Sequence, residues 1–97
     1  MGRTASVAVM DHRADSSTAA QDQLALGRAL SQLRHHAGLT QEQVADQLGA
    51  DATFVSRIER GKRGIRWPTL IRFLRVLGAS LSDLAAIIEK ADDPPKP

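Results

Sequence analysis

The stretch LTQEQVADQLGADATFVSRIERGKR, residues 39–63, decides the fold of this chain. Thr40 and Gln43 have the spacing of a capping box, in which the hydroxyl accepts from a free amide and the glutamine side chain reaches back. This predicts a short helix that ends at Gly49. Asp51 then caps another short helix. Two short helices joined by a three-residue turn have the geometry of a helix-turn-helix unit.

Helical patterns continue on both sides of this unit. Apolar residues three and four positions apart predict a first helix over residues 22–37, and the second helix of the unit, the recognition helix, covers about 52–60. Pro68 stands in the first turn of a fourth helix that ends before Gly78, and Ser80 opens a fifth. No stretch alternates like a strand. The sequence therefore predicts an all-α domain of five helices, in which helices 2 and 3 form the helix-turn-helix.

The two ends of the chain differ from its middle in composition. Residues 1–20 are rich in Ala, Ser, Thr and Asp without sustained periodicity, which predicts a flexible arm. Residues 91–97, ADDPPKP, predict a disordered tail because proline cannot continue a helix. The helix-turn-helix domain is expected to occupy residues 21–90.

Length and composition exclude several classes of protein. A chain of 97 residues suffices for one small core and leaves no room for a deep enclosed active site. No apolar run approaches the ~20 residues that cross a bilayer, and the first residues lack the apolar region of a signal peptide. We expect a cytoplasmic, nucleoid-associated protein without membrane contact.

Catalytic and metal-binding patterns are missing from the sequence. The chain has no Cys, which removes thiolate catalysis and cysteine ligands. His35 and His36 are adjacent, so on a helix they point about 100° apart and cannot share a metal. There is no glycine-rich phosphate loop, and no serine has a histidine nearby in the pattern of a triad. We expect neither enzymatic activity nor a metal or other cofactor.

Positive charge is concentrated in one segment. RIERGKRGIR, residues 57–66, holds five of the thirteen Lys and Arg residues, although the net charge of the chain is only +2. An arbitrary charge run is usually a solvated loop, but this one overlaps the recognition helix. A local basic patch creates a potential that a phosphate backbone feels even when the net charge is small.

The recognition helix has a polar, cationic outward face. At about 100° per residue, Val55 and Ile58 define its inward direction, and the opposite side carries no acid. Arg57 on that side can make a bidentate contact to guanine, hydroxyls can bond base edges, and methyl groups can contact thymine. The predicted base-reading residues are Ala52, Thr53, Ser56 and Arg57.

The same stretch resembles the helix-turn-helix of phage-repressor and Cro-like regulators, the xenobiotic-response-element type. Ala45 stands at the tight contact between the two helices, Gly49 at the turn, and residues 58–61 reproduce the closing I-E-x-G. The resemblance covers about residues 24–88. It implies a five-helix, lambda-repressor-like domain that binds double-stranded DNA sequence-specifically.

Phosphate contacts are expected beside the recognition helix. Gln41 starts helix 2, where its amide and the free backbone N–H groups can meet a phosphate, as the family residue at that position does. Cations that follow the recognition helix can reach the flanking backbone. The predicted phosphate contacts are Gln41, Arg60, Lys62 and Arg63. Arg66 either stacks on Trp67 or stays solvated.

Two other residues of the recognition helix need separate explanations. Glu59 would repel DNA if it pointed outward, and its flank position predicts that it turns toward helix 1 and pairs with Arg34. The resemblance implies the same structural pair, and the alternative is that both side chains are solvated. Phe54 is either half-buried packing or a thymine-methyl contact.

Helices 4 and 5 carry more apolar residues than one small domain easily buries. Ile71, Val76 and Ile87 are therefore candidates for a two-fold dimer interface, unless Trp67 and the arm cover them. A homodimer would present two recognition helices to a palindromic operator. The sequence predicts a dimeric repressor. The alternatives are an antitoxin that also binds a toxin, and a protein-interaction adaptor with little affinity for DNA.

Overall fold

A computed structural model describes residues 15–92. Within that range the chain forms five helices and no strand, which confirms the predicted all-α architecture. The helices are α1 (Asp15–His36), α2 (Gln41–Leu48), α3 (Ala52–Glu59), α4 (Trp67–Leu77) and α5 (Leu81–Asp92). Most of the predicted arm and the last five residues of the predicted tail lie outside the described residues.

Helix α1 is longer than the sequence pattern indicates. It begins at Asp15, seven residues before the predicted start, so residues 15–20 of the predicted arm belong to it. Ala19, Ala20 and Gln21 are exposed on this extension. Apolar periodicity indicates only those helical turns that bury a face. An exposed turn that contains alanine can be helical without burying any face, so the pattern does not show it. At the other end, α5 continues through Asp92, two residues into the predicted tail.

Hydrogen bonds at the helix ends set the turn between α2 and α3. Thr40 Oγ1 accepts from the Gln43 N–H at 3.0 Å, and Gln43 Oε1 accepts from the Thr40 N–H at 2.8 Å, which confirms the predicted capping box. Asp51 Oδ1 accepts from the Phe54 N–H at 2.9 Å and starts α3. Gly49 ends α2 with a φ of 71°, a backbone conformation that glycine adopts without steric cost.

Helix α5 begins as predicted. Ser80 Oγ accepts from the Asp83 N–H, and Asp83 Oδ2 accepts from the Ser80 N–H. Leu84 is buried, whereas Leu81 and Ala85 are exposed. Helix α5 packs against α1.

The aliphatic core joins all five helices. Its buried apolar side chains are Ala29, Leu30, Leu33, Val44, Ala45, Leu48, Val55, Ile58, Leu70, Phe73, Leu74, Leu77 and Leu84. At one point α1 and α3 touch through their backbones. A Cβ atom on Gly27 would overlap the Ile58 carbonyl oxygen and lie 2.7 Å from that of Glu59. No larger residue fits at Gly27 unless α1 moves away from the end of the recognition helix.

Candidate nucleic-acid interface

Helix α3 presents one side to solvent and the other to the core. Val55 and Ile58 are 0% and 1% exposed, in agreement with the inward direction read from the sequence. On the opposite side, Thr53 and Arg57 are exposed, while Ser56 is half-buried. Ala52, the fourth predicted base-reading residue, is also half-buried. The exposed side of α3 therefore carries hydroxyls and a guanidinium, the groups that bond base edges in a major groove.

The only carboxylate in α3 is turned away from this exposed side. Arg34 Nε donates to Glu59 Oε2 at 2.7 Å, and Arg34 Nη2 donates to Glu59 Oε1 at 3.0 Å. The two residues are 8% and 7% exposed, so neither is solvated. Arg34 Nη1 also donates to the Leu39 carbonyl oxygen at 2.9 Å. This bidentate pair ties α1 to the end of α3 and neutralises the negative charge of Glu59 inside the fold.

The Gln41 side chain forms a hydrogen bond within the protein that the sequence pattern does not predict. Its Nε2 donates to Glu59 Oε1 at 3.0 Å, so the carboxylate that pairs with Arg34 also holds the start of α2. The donors still available for the predicted phosphate contact are the second Nε2 hydrogen of Gln41 and the backbone N–H groups of the first turn of α2. Gln41 and Ala52 line an open cleft of about 600 Å³ between the end of α1 and the starts of α2 and α3.

Arg63, another predicted phosphate contact, lies against an aromatic ring. Its Cζ is 4.6 Å from the centroid of the Phe54 ring, over the ring face. Arg63 Nε also donates to the Gly64 carbonyl oxygen at 3.3 Å. Phe54 is half-buried and packs against the core, as the packing alternative predicted. No sequence pattern indicates this contact, because eight residues and a turn lie between Phe54 and Arg63.

The other predicted cations are exposed. Arg60 Nε makes a long contact of 3.4 Å to the Ser56 carbonyl oxygen, and the Lys62 N–H donates to the Arg57 carbonyl oxygen at 2.8 Å. With the left-handed Gly61, this bond closes the end of α3, and Lys62 follows it as an exposed residue. Trp67 is 60% exposed.

The three dimer candidates are all half-buried. Val76 and Ile87 also pack against the core with part of their surface. Ile71 instead lines a shallow groove with Leu81, which is 43% exposed. Trp67 lies one helical turn before Ile71 on the same face of α4. Trp67, Ile71 and Leu81 are called the apolar surface below.

Comparisons with known proteins agree with this architecture. A family model described as a helix-turn-helix domain matches residues 25–87. The chain therefore belongs to the helix-turn-helix domain family. The predicted resemblance to phage-repressor and Cro-like regulators is thereby confirmed.

Two curated relatives have different lengths. The HTH-type transcriptional regulator PuuR from Escherichia coli is 38% identical over 71 residues, which cover 73% of this chain and 38% of PuuR. The control protein C.MunI from a Mycoplasma species is 40% identical over 65 residues, covering 66% of this chain and 88% of C.MunI. The chain thus spans little more than a third of PuuR but most of C.MunI.

Two solved structures have the same fold. The clp gene regulator ClgR from Corynebacterium glutamicum aligns with a TM-score of 0.70 and 26% identity, covering 75% of this chain and 95% of that chain. The restriction-modification controller protein C.AhdI from Aeromonas hydrophila aligns with a TM-score of 0.63 and 29% identity, covering 67% and 94%. None of the helices in residues 15–92 has the length and hydrophobicity to span a bilayer.

Proposed function

We propose that this chain is a sequence-specific DNA-binding transcriptional regulator, which acts by binding and not by catalysis. Helix α3 would lie in the major groove with its exposed side toward the base edges. The observation that carries this proposal is the burial of Glu59 against Arg34, because it leaves the exposed side of α3 with cationic and hydroxyl groups and no carboxylate. Membership of the helix-turn-helix family supports it.

The exposed groups suit different parts of a duplex. Arg57 has the planar fork that bonds guanine O6 and N7, while Thr53 and Ser56 offer hydroxyls and Ala52 a methyl group. Arg60 and Lys62 lie at the end of α3, where they would meet phosphates along the groove edge. On the other edge, the remaining Gln41 N–H groups would meet a phosphate of the opposite strand.

We further propose that two copies bind together. One helix of eight residues reads only a few base pairs, so a second recognition helix one helical turn away would raise specificity. The apolar surface supports this, because its self-contact would bury a tryptophan that is 60% exposed in one copy. A two-fold dimer would bind a palindromic operator, and by covering a promoter in the cytoplasm it would act as a repressor.

The decisive experiment is selection of bound sequences from random duplex DNA at about 150 mM salt, where nonspecific binding is already weak. We expect enrichment of an inverted repeat with a guanine at a fixed position of each half-site. If no sequence is enriched and the protein binds DNA no better than an unrelated acidic polymer, the proposed function is wrong. A protein partner retained at high salt would then favour the adaptor alternative.

A further inference from the structure

The basic loop that follows α3, residues 60–66, is held in place from two sides. Gly61 has a φ of 70°, and a Cβ atom there would lie 2.8 Å from Leu24 Cα, so the loop runs directly against the backbone of α1. Gln23 Nε2 reaches the Gly61 carbonyl oxygen at 3.5 Å on the same side. On the other side, the Arg63 guanidinium lies over the Phe54 ring. The loop is thus fixed to both α1 and the recognition helix.

Phe54 occupies a distinct position around the axis of α3. At 100° per residue it lies about 60° from Arg57, while Ala52 and Glu59 lie on the opposite flank. Gln41 contacts Glu59 on that opposite flank. The exposed side of α3 is therefore bordered by Gln41 along one edge and by Arg63, over Phe54, along the other. A helix in the major groove has a phosphate backbone along each of its two edges.

The contact between ring and guanidinium leaves the donors of Arg63 available. The attraction of a cation to a ring face is electrostatic and uses none of the N–H groups. Nε donates to Gly64, and within residues 15–92 the four N–H groups on Nη1 and Nη2 have no hydrogen-bond partner. Two such N–H groups match two phosphate oxygens in a bidentate contact.

We propose that Phe54 is a positioning residue for DNA binding, whose ring holds Arg63 so that its Nη groups bind a backbone phosphate beside the recognition helix. The inference rests on the proposed DNA-binding function and adds a role for a half-buried ring. Because the ring contact restricts the Arg63 side chain before DNA is bound, binding would cost less side-chain entropy than it would for a cation without such a contact. Lys62, one residue earlier, carries the same charge without a ring beneath it and is the natural control.

A double-mutant cycle on DNA affinity tests this role in the full chain. The variants are Phe54→Leu, Arg63→Ala and the double variant, each titrated against a random-sequence duplex at several salt concentrations near 100 mM. Arg63→Ala should weaken binding about 10-fold in the Phe54 background, because a bidentate phosphate contact is lost, and about 2-fold or less in the Phe54→Leu background. Phe54→Tyr retains a ring and should keep the full effect of Arg63→Ala.

The matched cycle with Lys62→Ala separates positioning from general damage. Lys62→Ala should weaken binding by the same factor in both backgrounds and lower the salt slope by about one. If the Arg63→Ala factor is also the same in both backgrounds, or if Phe54→Tyr behaves as Phe54→Leu does, the positioning role is wrong. Should the unmodified chain fail to bind any duplex, the proposed function itself fails, a result distinct from a chain that binds without coupling between Phe54 and Arg63.

Should Phe54→Leu not fold, the comparison between Phe54→Tyr and Phe54→Met replaces it. Methionine fills a similar volume without an aromatic face. Coupling to Arg63 that is present with tyrosine and absent with methionine supports the proposal, and equal coupling in both overturns it.

Discussion

Two regions of the molecule differ in how far their groups find partners within one chain. The first is the contact of α1 with the end of α3, and the second is the apolar surface on α4 and α5. At the first, Glu59 accepts three hydrogen bonds from Arg34 and Gln41, and Gly27 lets two backbones touch. At the second, Trp67 and Leu81 are 60% and 43% exposed. Substitutions in a region whose groups find all their partners within one chain should lower the stability of the fold. Substitutions on an exposed apolar surface should instead weaken self-association.

Breaking the Arg34–Glu59 pair from one side should have the largest effect. Glu59→Leu leaves the Arg34 guanidinium buried without its carboxylate and removes the partner of Gln41, so we expect a loss of about 3–5 kcal/mol in the free energy of unfolding. Urea denaturation followed by circular dichroism measures this loss.

The double variant Arg34→Met, Glu59→Leu is the control for that prediction. With both charges replaced by apolar groups, no unpaired charge remains buried, and the loss should be much smaller than the sum of the two single losses. Single effects that simply add would show that the two side chains do not stabilise each other.

Placing a side chain in the backbone contact between α1 and α3 should have the next largest effect. Gly27→Ala gains about 1 kcal/mol in helix propensity, but its Cβ would overlap backbone carbonyls that cannot rotate away. We expect a net destabilisation of about 2–4 kcal/mol. Gly64→Ala is the matched control, because its Cβ would meet only the end of the Gln23 side chain at 3.1 Å, and no backbone atom. Thermal unfolding of both variants measures the difference, and equal melting temperatures would contradict the tight approach.

The sequence predicts one part of the molecule better than another. Caps and turns depend on residues that are close in sequence, so the ends of α2 and α3 could be predicted from Thr40, Gly49 and Asp51. The Arg34 and Glu59 partners were found through their helical angle and the family resemblance. The role of Gly27 was not predicted, because an isolated glycine inside a helical pattern is tolerated and does not by itself indicate a close contact.

The second half of the molecule was less predictable for a physical reason. Apolar width on a helix shows that something must cover it but does not identify the neighbour. Val76 and Ile87 looked unpartnered in the sequence, yet both pack against the core with part of their surface. The Phe54 contact with Arg63 and the turn of Gln41 toward Glu59 depend on how separate elements meet in three dimensions. No spacing rule reports such meetings.

The apolar surface is tested through association. Trp67→Gln combined with Leu81→Gln should weaken self-association about 100-fold, roughly 3 kcal/mol, because a buried tryptophan often dominates an interface. Analytical ultracentrifugation at tens of micromolar measures this, and unfolding of the variant should be nearly unchanged. Leu24→Gln, which alters another exposed leucine on α1, should leave association intact. An unmodified chain that is monomeric in this range would refute the interface in the free protein.

The smallest expected effect lies on the exposed side of α3 and divides base reading from phosphate binding. Arg57→Ala should cost about 1–3 kcal/mol on the selected operator and relax preference at one base pair of each half-site, with little loss on random DNA. Lys62→Ala should weaken both DNAs nearly equally and lower the salt slope by about one per bound subunit, because a flexible ammonium group acts as a point charge. Titrations of both variants on both DNAs at several salt concentrations measure this. If Arg57→Ala weakens operator and random DNA by the same factor, Arg57 contacts phosphate, and base reading falls to Thr53 and Ser56.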